Sequence, residues 1–222
     1  GFSSDSRHFT YVGIRGEKEF VVVDKKETAS VWIEGAVFSP DGKHIAFVRA
    51  REESGQDLVS CVVLDGVPGK QFKGELEGLV FSPDSRKLAY RVSEHLGVEY
   101  VAVHGGPAFE DYPVEGDIVF SPDSRHMAFL AEKYGKSFFI VDGQEHLKSE
   151  EADREGLRSS YFTFSQDSKR WAYIAQHKGK QYAVVSGAEY GPYDYLSVPD
   201  EETYIYFSPD SLHFAFMATR EW

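Results

Sequence analysis

Four of the eight histidines in this 222-residue chain, His8, His44, His126 and His213, stand three residues after an aspartate. Imidazoles recurring at equivalent places suggest a metal site or a pH-responsive ring. Zinc, however, needs its ligands within ~2.0–2.1 Å, while equivalent positions on neighbouring repeat units lie on the order of 10 Å apart. Two further copies of the same string carry Lys87 and Arg170 at this place. The expected role is therefore a solvated or aspartate-paired residue at the start of a strand, and no metal is expected. Cys61 is the single cysteine, so an intramolecular disulfide and a multi-cysteine metal site are both excluded. It alternates with Val59 and Val63, which reads as a small buried hydrophobe, and no nearby base would make it a nucleophile. H-E-x-x-H, C-x-x-C, the P-loop and G-x-G-x-x-G are all absent. No catalytic residue and no cofactor is nominated.

Charge offers more. Lys plus Arg is 24 and Asp plus Glu is 36, a net charge of −12 that would repel phosphate backbones and argues against nucleic acid. Eleven of the acids fall in four short segments, 73–77, 115–117, 149–156 and 200–202. They are Glu75, Glu77, Glu115, Asp117, Glu150, Glu151, Asp153, Glu155, Asp200, Glu201 and Glu202, set against only Lys73 and Arg154. If these segments connect successive units they emerge on one face, and most of the charge imbalance crowds onto one rim. Such a rim serves solubility, or it steers a basic protein or peptide segment. The string at 150–155 lacks the D-x-D-x-D-G spacing of an EF-hand.

The elements that position these residues come from a repeat. A ten-residue phrase occurs six times, beginning at Phe2, Phe38, Phe81, Phe120, Phe164 and Phe207, with Phe, Ser and Asp in every copy. Ser-Pro-Asp-Ser/Gly is turn chemistry, and the apolar run that follows, such as Ile45-Ala46-Phe47-Val48, reads as a strand. Between phrases lies a second hairpin. Its first strand is apolar, as in Cys61-Val62-Val63-Leu64 and Phe138-Phe139-Ile140-Val141, and its turn is typified by Asp65-Gly66 and Asp142-Gly143. A weaker strand is expected next, at Val31-Trp32-Ile33 or Tyr193-Asp194-Tyr195. Four short antiparallel strands in about 41 residues predict a β-propeller blade. The fold class is all-β, a single propeller domain over 1–222. It has five full units and two strands of a sixth from about Thr203 to Ala218, so the expected type is six-bladed with the last blade incomplete.

The phrase resembles the FSPDG-x-x-(I/L)-A-(F/Y) repeat of TolB-like bacterial propellers, with Gln166 and Ser4 standing where that pattern has proline. The resemblance implies a propeller, a binding role and a periplasmic or cell-envelope setting. His104-Gly105-Gly106-Pro107 is similar to a string that contributes to the oxyanion hole of prolyl-oligopeptidase-type hydrolases. Here it falls where the other units place a hairpin turn, and no G-x-S-x-G elbow accompanies it. A structural turn is expected. The leading functional expectation is a non-enzymatic module that binds a protein or peptide through the acidic rim or the central channel, with self-association through the incomplete blade as a further possibility. The alternatives are the propeller portion of a longer peptidase or sensor, and a glycan-active enzyme with its site at the channel mouth. No apolar stretch approaches the ~20 residues of a membrane-spanning helix.

Overall fold

The computed structural model describes residues 1–16, 18–30, 32–53, 57–94, 97–149, 162–197 and 205–219. They are all β and turn, in two compact units, Gly1–Asp111 and Tyr112–Trp222.

In the first unit, β1 (Thr10–Arg15), β2 (Lys18–Val23) and β3 (Lys26–Ser30) form an antiparallel sheet, and a bridge from Phe2 to Phe9 starts its innermost strand. Six further strands follow in spatial and chain order. They are β4 (Trp32–Phe38), β5 (Ile45–Glu53), β6 (Asp57–Leu64), β7 (Val67–Phe81), β8 (Leu88–Glu94) and β9 (Val98–Val103). Strand β7 is long because it serves two blades, closing one against β6 and opening the next against β8. Gly74 makes this passage possible. Its φ is 140°, and a Cβ there would meet the Ser93 carbonyl oxygen at 2.0 Å.

The second unit repeats the plan. A four-stranded antiparallel blade is made of β10 (Val114–Phe120), β11 (Met127–Lys133), β12 (Lys136–Val141) and β13 (Gln144–Ser149). Then come β14 (Thr163–Phe164), β15 (Trp171–His177), β16 (Lys180–Val185) and β17 (Ala188–Tyr193). Last come two paired segments, β18 (Tyr195–Ser197) with β21 (Met217–Thr219), and β19 (Tyr206–Phe207) with β20 (Phe214–Ala215), the latter flanking the turn of the sixth phrase.

Each core comes from the alternation of the second and third strands of a blade. Ala46, Val48, Val62, Leu76, Tyr90 and Val92 pack in one buried cluster of the first unit, and Leu130, Phe139, Phe162, Tyr173 and Val184 in one of the second. Cys61 is buried, as its alternation predicts. The phrase alanines Ala46, Ala89, Ala128 and Ala172 are at most 1% exposed, so nothing larger fits there.

Two sequence expectations are corrected. The weak outer strands lie at Lys26–Ser30 and Ala188–Tyr193, earlier than expected, while Trp32–Phe38 already belongs to the next blade and Tyr195 begins β18. Val31 lies outside the described residues. The outer strand carries no mark in the sequence because it is polar: Ala188–Tyr190 are all exposed and offer no apolar period. Segments 73–77 and 115–117 are not connecting loops either. They run within β7 and β10 as strand.

Candidate functional site

The phrase turn is built by the same atoms in every copy. In the copy from Phe120, Ser121 is fully buried, its hydroxyl donates to Asp123 Oδ1 at 2.7 Å, and it accepts the His126 backbone N–H at 3.0 Å. The same carboxylate oxygen accepts the Arg125 N–H at 3.0 Å. These bonds favour the ionised form and hold the phrase aspartates Asp5, Asp123, Asp167 and Asp210 below the usual carboxylate range. For Asp41 the Ser39 hydroxyl, followed by the Lys43 N–H, brings the carboxyl down to about 2.

The fifth phrase residue has positive φ throughout: 58° at Ser6, 73° at Gly42, 65° at Ser85, 63° at Ser124, 61° at Ser168 and 58° at Ser211. Glycine suits that conformation best, yet serine stands there five times. Its hydroxyl gives the reason. Ser85 Oγ accepts the Asp41 N–H at 3.0 Å, Ser168 Oγ the Asp123 N–H at 2.9 Å, and Ser211 Oγ the Asp167 N–H at 3.0 Å. Each bond joins one phrase to the next. The recurrence of serine was visible in the sequence; its conformation and its partner on the neighbouring blade were not.

Three of the four phrase histidines, His8, His44 and His126, are paired with aspartates, and the partner is the first residue of the following hairpin turn. The Nδ1–H of His44 donates to Asp65 Oδ2 at 2.7 Å and that of His126 to Asp142 Oδ2 at 2.6 Å, and His8 bonds Asp24 in the same way. The other carboxylate oxygen is also used: Asp65 Oδ1 accepts the Ile45 N–H and Asp142 Oδ1 the Met127 N–H, each at 3.0 Å. The bond from His8, with the Phe9 N–H, lowers the Asp24 carboxyl. These pairs clip the hairpin of a blade to its own phrase. Among the described residues no three metal-ligating side chains cluster. His104-Gly105-Gly106-Pro107 is a turn, with Gly105 at φ 68° and the Gly106 N–H donating to the Val103 carbonyl.

Between one blade's clip and the next blade's phrase runs a groove. In the second unit it has a volume of about 540 Å³. His126 and Phe164 face each other across it with ring centroids 6.3 Å apart, and His146 packs on Trp171 at 4.5 Å. Burial lowers the pKa of His146, so this ring resists protonation. Arg125, 83% exposed, and Lys169 stand at the lip. The first unit has the equivalent groove of about 430 Å³, with His8 and Phe38 at 6.5 Å and Lys43 at its lip. The sixth phrase residue is a cation in five copies, Arg7, Lys43, Arg86, Arg125 and Lys169, and Leu212 in the last. Sequence reasoning missed the grooves because each needs two blades side by side.

Of the expected acidic rim, Glu75 and Glu77 are exposed on one face of β7, and Glu77 lies 3.3 Å from the Arg91 guanidinium. Asp117 is exposed in β10, and Glu115 stands in the same strand. Glu150, Glu151, Asp153, Glu155, Asp200, Glu201 and Glu202 lie outside the described residues.

No protein-family model and no curated protein matches this chain. Solved structures do. A eukaryotic initiation factor aligns with a TM-score of 0.55 at 14% identity, over 95% of this chain and 56% of its own. TolB from Acinetobacter baumannii aligns at 0.42 and 18% identity over 97% and 59%, respectively. The β-propeller domain of the Trilobed protease from Pyrococcus furiosus aligns at 0.48 and 15% over 96% and 75%. The chain thus spans 56% and 59% of the first two. The likeness is one of fold: this is an all-β protein of β-propeller type, built from four-stranded antiparallel blades.

Proposed function

We propose that this propeller is a non-enzymatic binding module that holds a segment of another protein, with the groove of the second unit as a contact site. The observation that carries this reading is the lining of that groove: aromatic walls from Phe164 and Trp171, and cationic side chains from Arg125 and Lys169 at the lip. About 540 Å³ lies in the range of sites that take small groups, and admits one or two side chains of a peptide. The lining carboxylates Asp123 and Asp142 are hydrogen-bonded within the protein and 37% and 44% exposed. Arg125, 3.9 Å from Asp123 Oδ2, is 83% exposed and Lys169 is exposed beside it, so the cations stand furthest into solvent. The preferred segment is therefore acidic with an apolar or aromatic residue. The threefold recurrence of the His–Asp clip supports a structural use of these groups over a catalytic one, which would need a single distinctive pair.

An immobilised peptide array graded in charge and aromatic content tests this. Acidic aromatic peptides should be retained, and Lys169→Glu combined with Arg125→Glu should abolish the preference; a preference unchanged in the double variant overturns the groove.

A second reading keeps the acidic rim. Glu75 and Glu77 share one exposed face of β7 and would steer a basic segment. The same array reads it. Retention of basic peptides that survives Glu75→Gln with Glu77→Gln would remove these two residues from the interface.

A further inference from the structure

The unit that begins with the fifth phrase departs from the His–Asp clip. Arg170 stands where His8, His44 and His126 stand, and Ser186 opens the hairpin turn in place of aspartate. The backbone keeps its course. The Ser186 N–H donates to the Trp171 carbonyl at 2.8 Å, as the Asp142 N–H does to that of Met127, and φ is 47° at Ser186 and 51° at Asp142. The seventh residue also faces the same neighbour. The Arg170 guanidinium carbon lies 5.1 Å from the centre of the Phe207 ring, which holds the place that Phe164 holds before His126. Only the chemistry changes: an imidazole beside a carboxylate becomes a guanidinium beside a hydroxyl.

That guanidinium is left without an anion. Arg170 is half-buried, its Nη2 is buried with no hydrogen-bond partner, and among the described residues it forms no ion pair. Asp167 feels its charge, but the Asp167 carboxylate is already bonded by the Ser165 hydroxyl at 2.7 Å and the Lys169 N–H at 3.2 Å. Ser186 Oγ accepts the Trp171 N–H at 3.4 Å, which leaves its own O–H free to donate. A buried polar group without a partner calls for a reason, and a cation more than most.

The surroundings are complete within the second unit. The groove of Arg125 and Lys169 is lined by the clip and outer strand of one blade and by the phrase of the next, with nothing from that next blade's hairpin. One repeat further on, every counterpart of those lining residues is described. There Tyr190 and Phe214, with ring centroids 5.1 Å apart, replace His146 and Trp171, and Leu212, 70% exposed, replaces the cation at the far lip. The walls are therefore more apolar, and the charge lies beneath them in Arg170.

We propose that Arg170 and Ser186 form a subsite for the carboxylate of an aromatic acid, carried by a free arylalkyl carboxylate or by the C-terminal residue of a peptide. The repeat names the missing group, because a carboxylate faces the seventh residue in all three histidine clips. The guanidinium turns off its buried position and donates two N–H groups to the carboxylate as a fork, and the Ser186 O–H donates to one of the same oxygens. The aromatic body lies against Phe207 and Phe214. This subsite does not depend on the groove of Arg125 and Lys169.

The test is calorimetric titration of the full chain at pH 7 with 3-phenylpropionate and with N-acetyl-glycyl-phenylalanine. Saturable binding is expected, weakened about tenfold or more when either carboxylate is converted to its amide and equally by Arg170→Gln, in keeping with charge-assisted hydrogen bonds. Ser186→Asp supplies the carboxylate from within the chain, so it should abolish binding and raise the urea midpoint. Arg125→Glu, in the neighbouring groove, should leave binding unchanged. Tighter binding of the peptide or of the free acid supports the subsite in either case and names the source. Absence of binding, equal binding of acid and amide, or binding that survives Arg170→Gln or Ser186→Asp overturns the proposal. So does loss of binding in Arg125→Glu, which would move the ligand to the other groove.

Discussion

Each phrase concentrates its chemistry in one serine and one aspartate, and that pair makes acid the condition that loosens the fold. The Asp41 carboxyl sits at about 2 against an ordinary 3.8, held down by the Ser39 hydroxyl and the Lys43 N–H. With the folded value depressed, the unfolded chain binds more protons, so its contribution is fully present above 3.8 and is lost as pH falls toward 2. Asp5, Asp123, Asp167 and Asp210 shift in the same direction. Asp41→Asn should therefore be less stable at pH 6 and lose less on going to pH 3, measured as the gap between urea midpoints at the two pH values. An unchanged gap would deny Asp41 this part. At this scale the sequence was readable where a residue acts on its near neighbours. Serine and aspartate announced a turn, and the histidines were expected beside aspartates. The left-handed conformation of Ser168 and its bond to the Asp123 N–H are relations between distant residues, so no local pattern carried them.

Strands were legible in proportion to their burial. Apolar runs such as Phe138–Val141 and Tyr182–Val185 mark the third strand of each blade, and the apolar run after the phrase turn marks the second. Outer strands such as Ala188–Tyr193 face solvent and carry no such mark. Continuity between blades was equally hidden, because the segment 73–77 reads as a connection while β7 runs through it. That reading also placed Glu75 and Glu77 in a connection instead of on the exposed face of a strand. Packing between blades yields the sharpest expectation for an element. Ala128 is 1% exposed and faces Val119 and Val141 across its two strand partners. Ala128→Leu adds three carbons to a filled space and should cost about 1–3 kcal/mol by overpacking, read as a lowered urea midpoint. Glu189→Ala in the outer strand should change stability by less than about 0.5 kcal/mol. Equal costs for the two would mean that the inner strands are loosely packed.

For the whole molecule, the repeat sets the order in which parts depend on one another. The hydroxyl that caps one phrase is carried by the phrase after it, so the links from Asp41 to Ser85, Asp123 to Ser168 and Asp167 to Ser211 all point the same way along the chain. Stability in such arrays is dominated by each unit and its immediate neighbour. Ser211→Ala should accordingly speed hydrogen exchange at the Asp167 amide, 44 residues upstream, more than at the amides of its own turn. Faster exchange confined to residues 208–213 would contradict this. The linkage has an arrow. A lesion in one blade is felt by the blade that precedes it, and a unit spliced in or out leaves a matching donor and acceptor at the seam, so the array is permissive to gain or loss of whole units and intolerant of change within the serine that joins them.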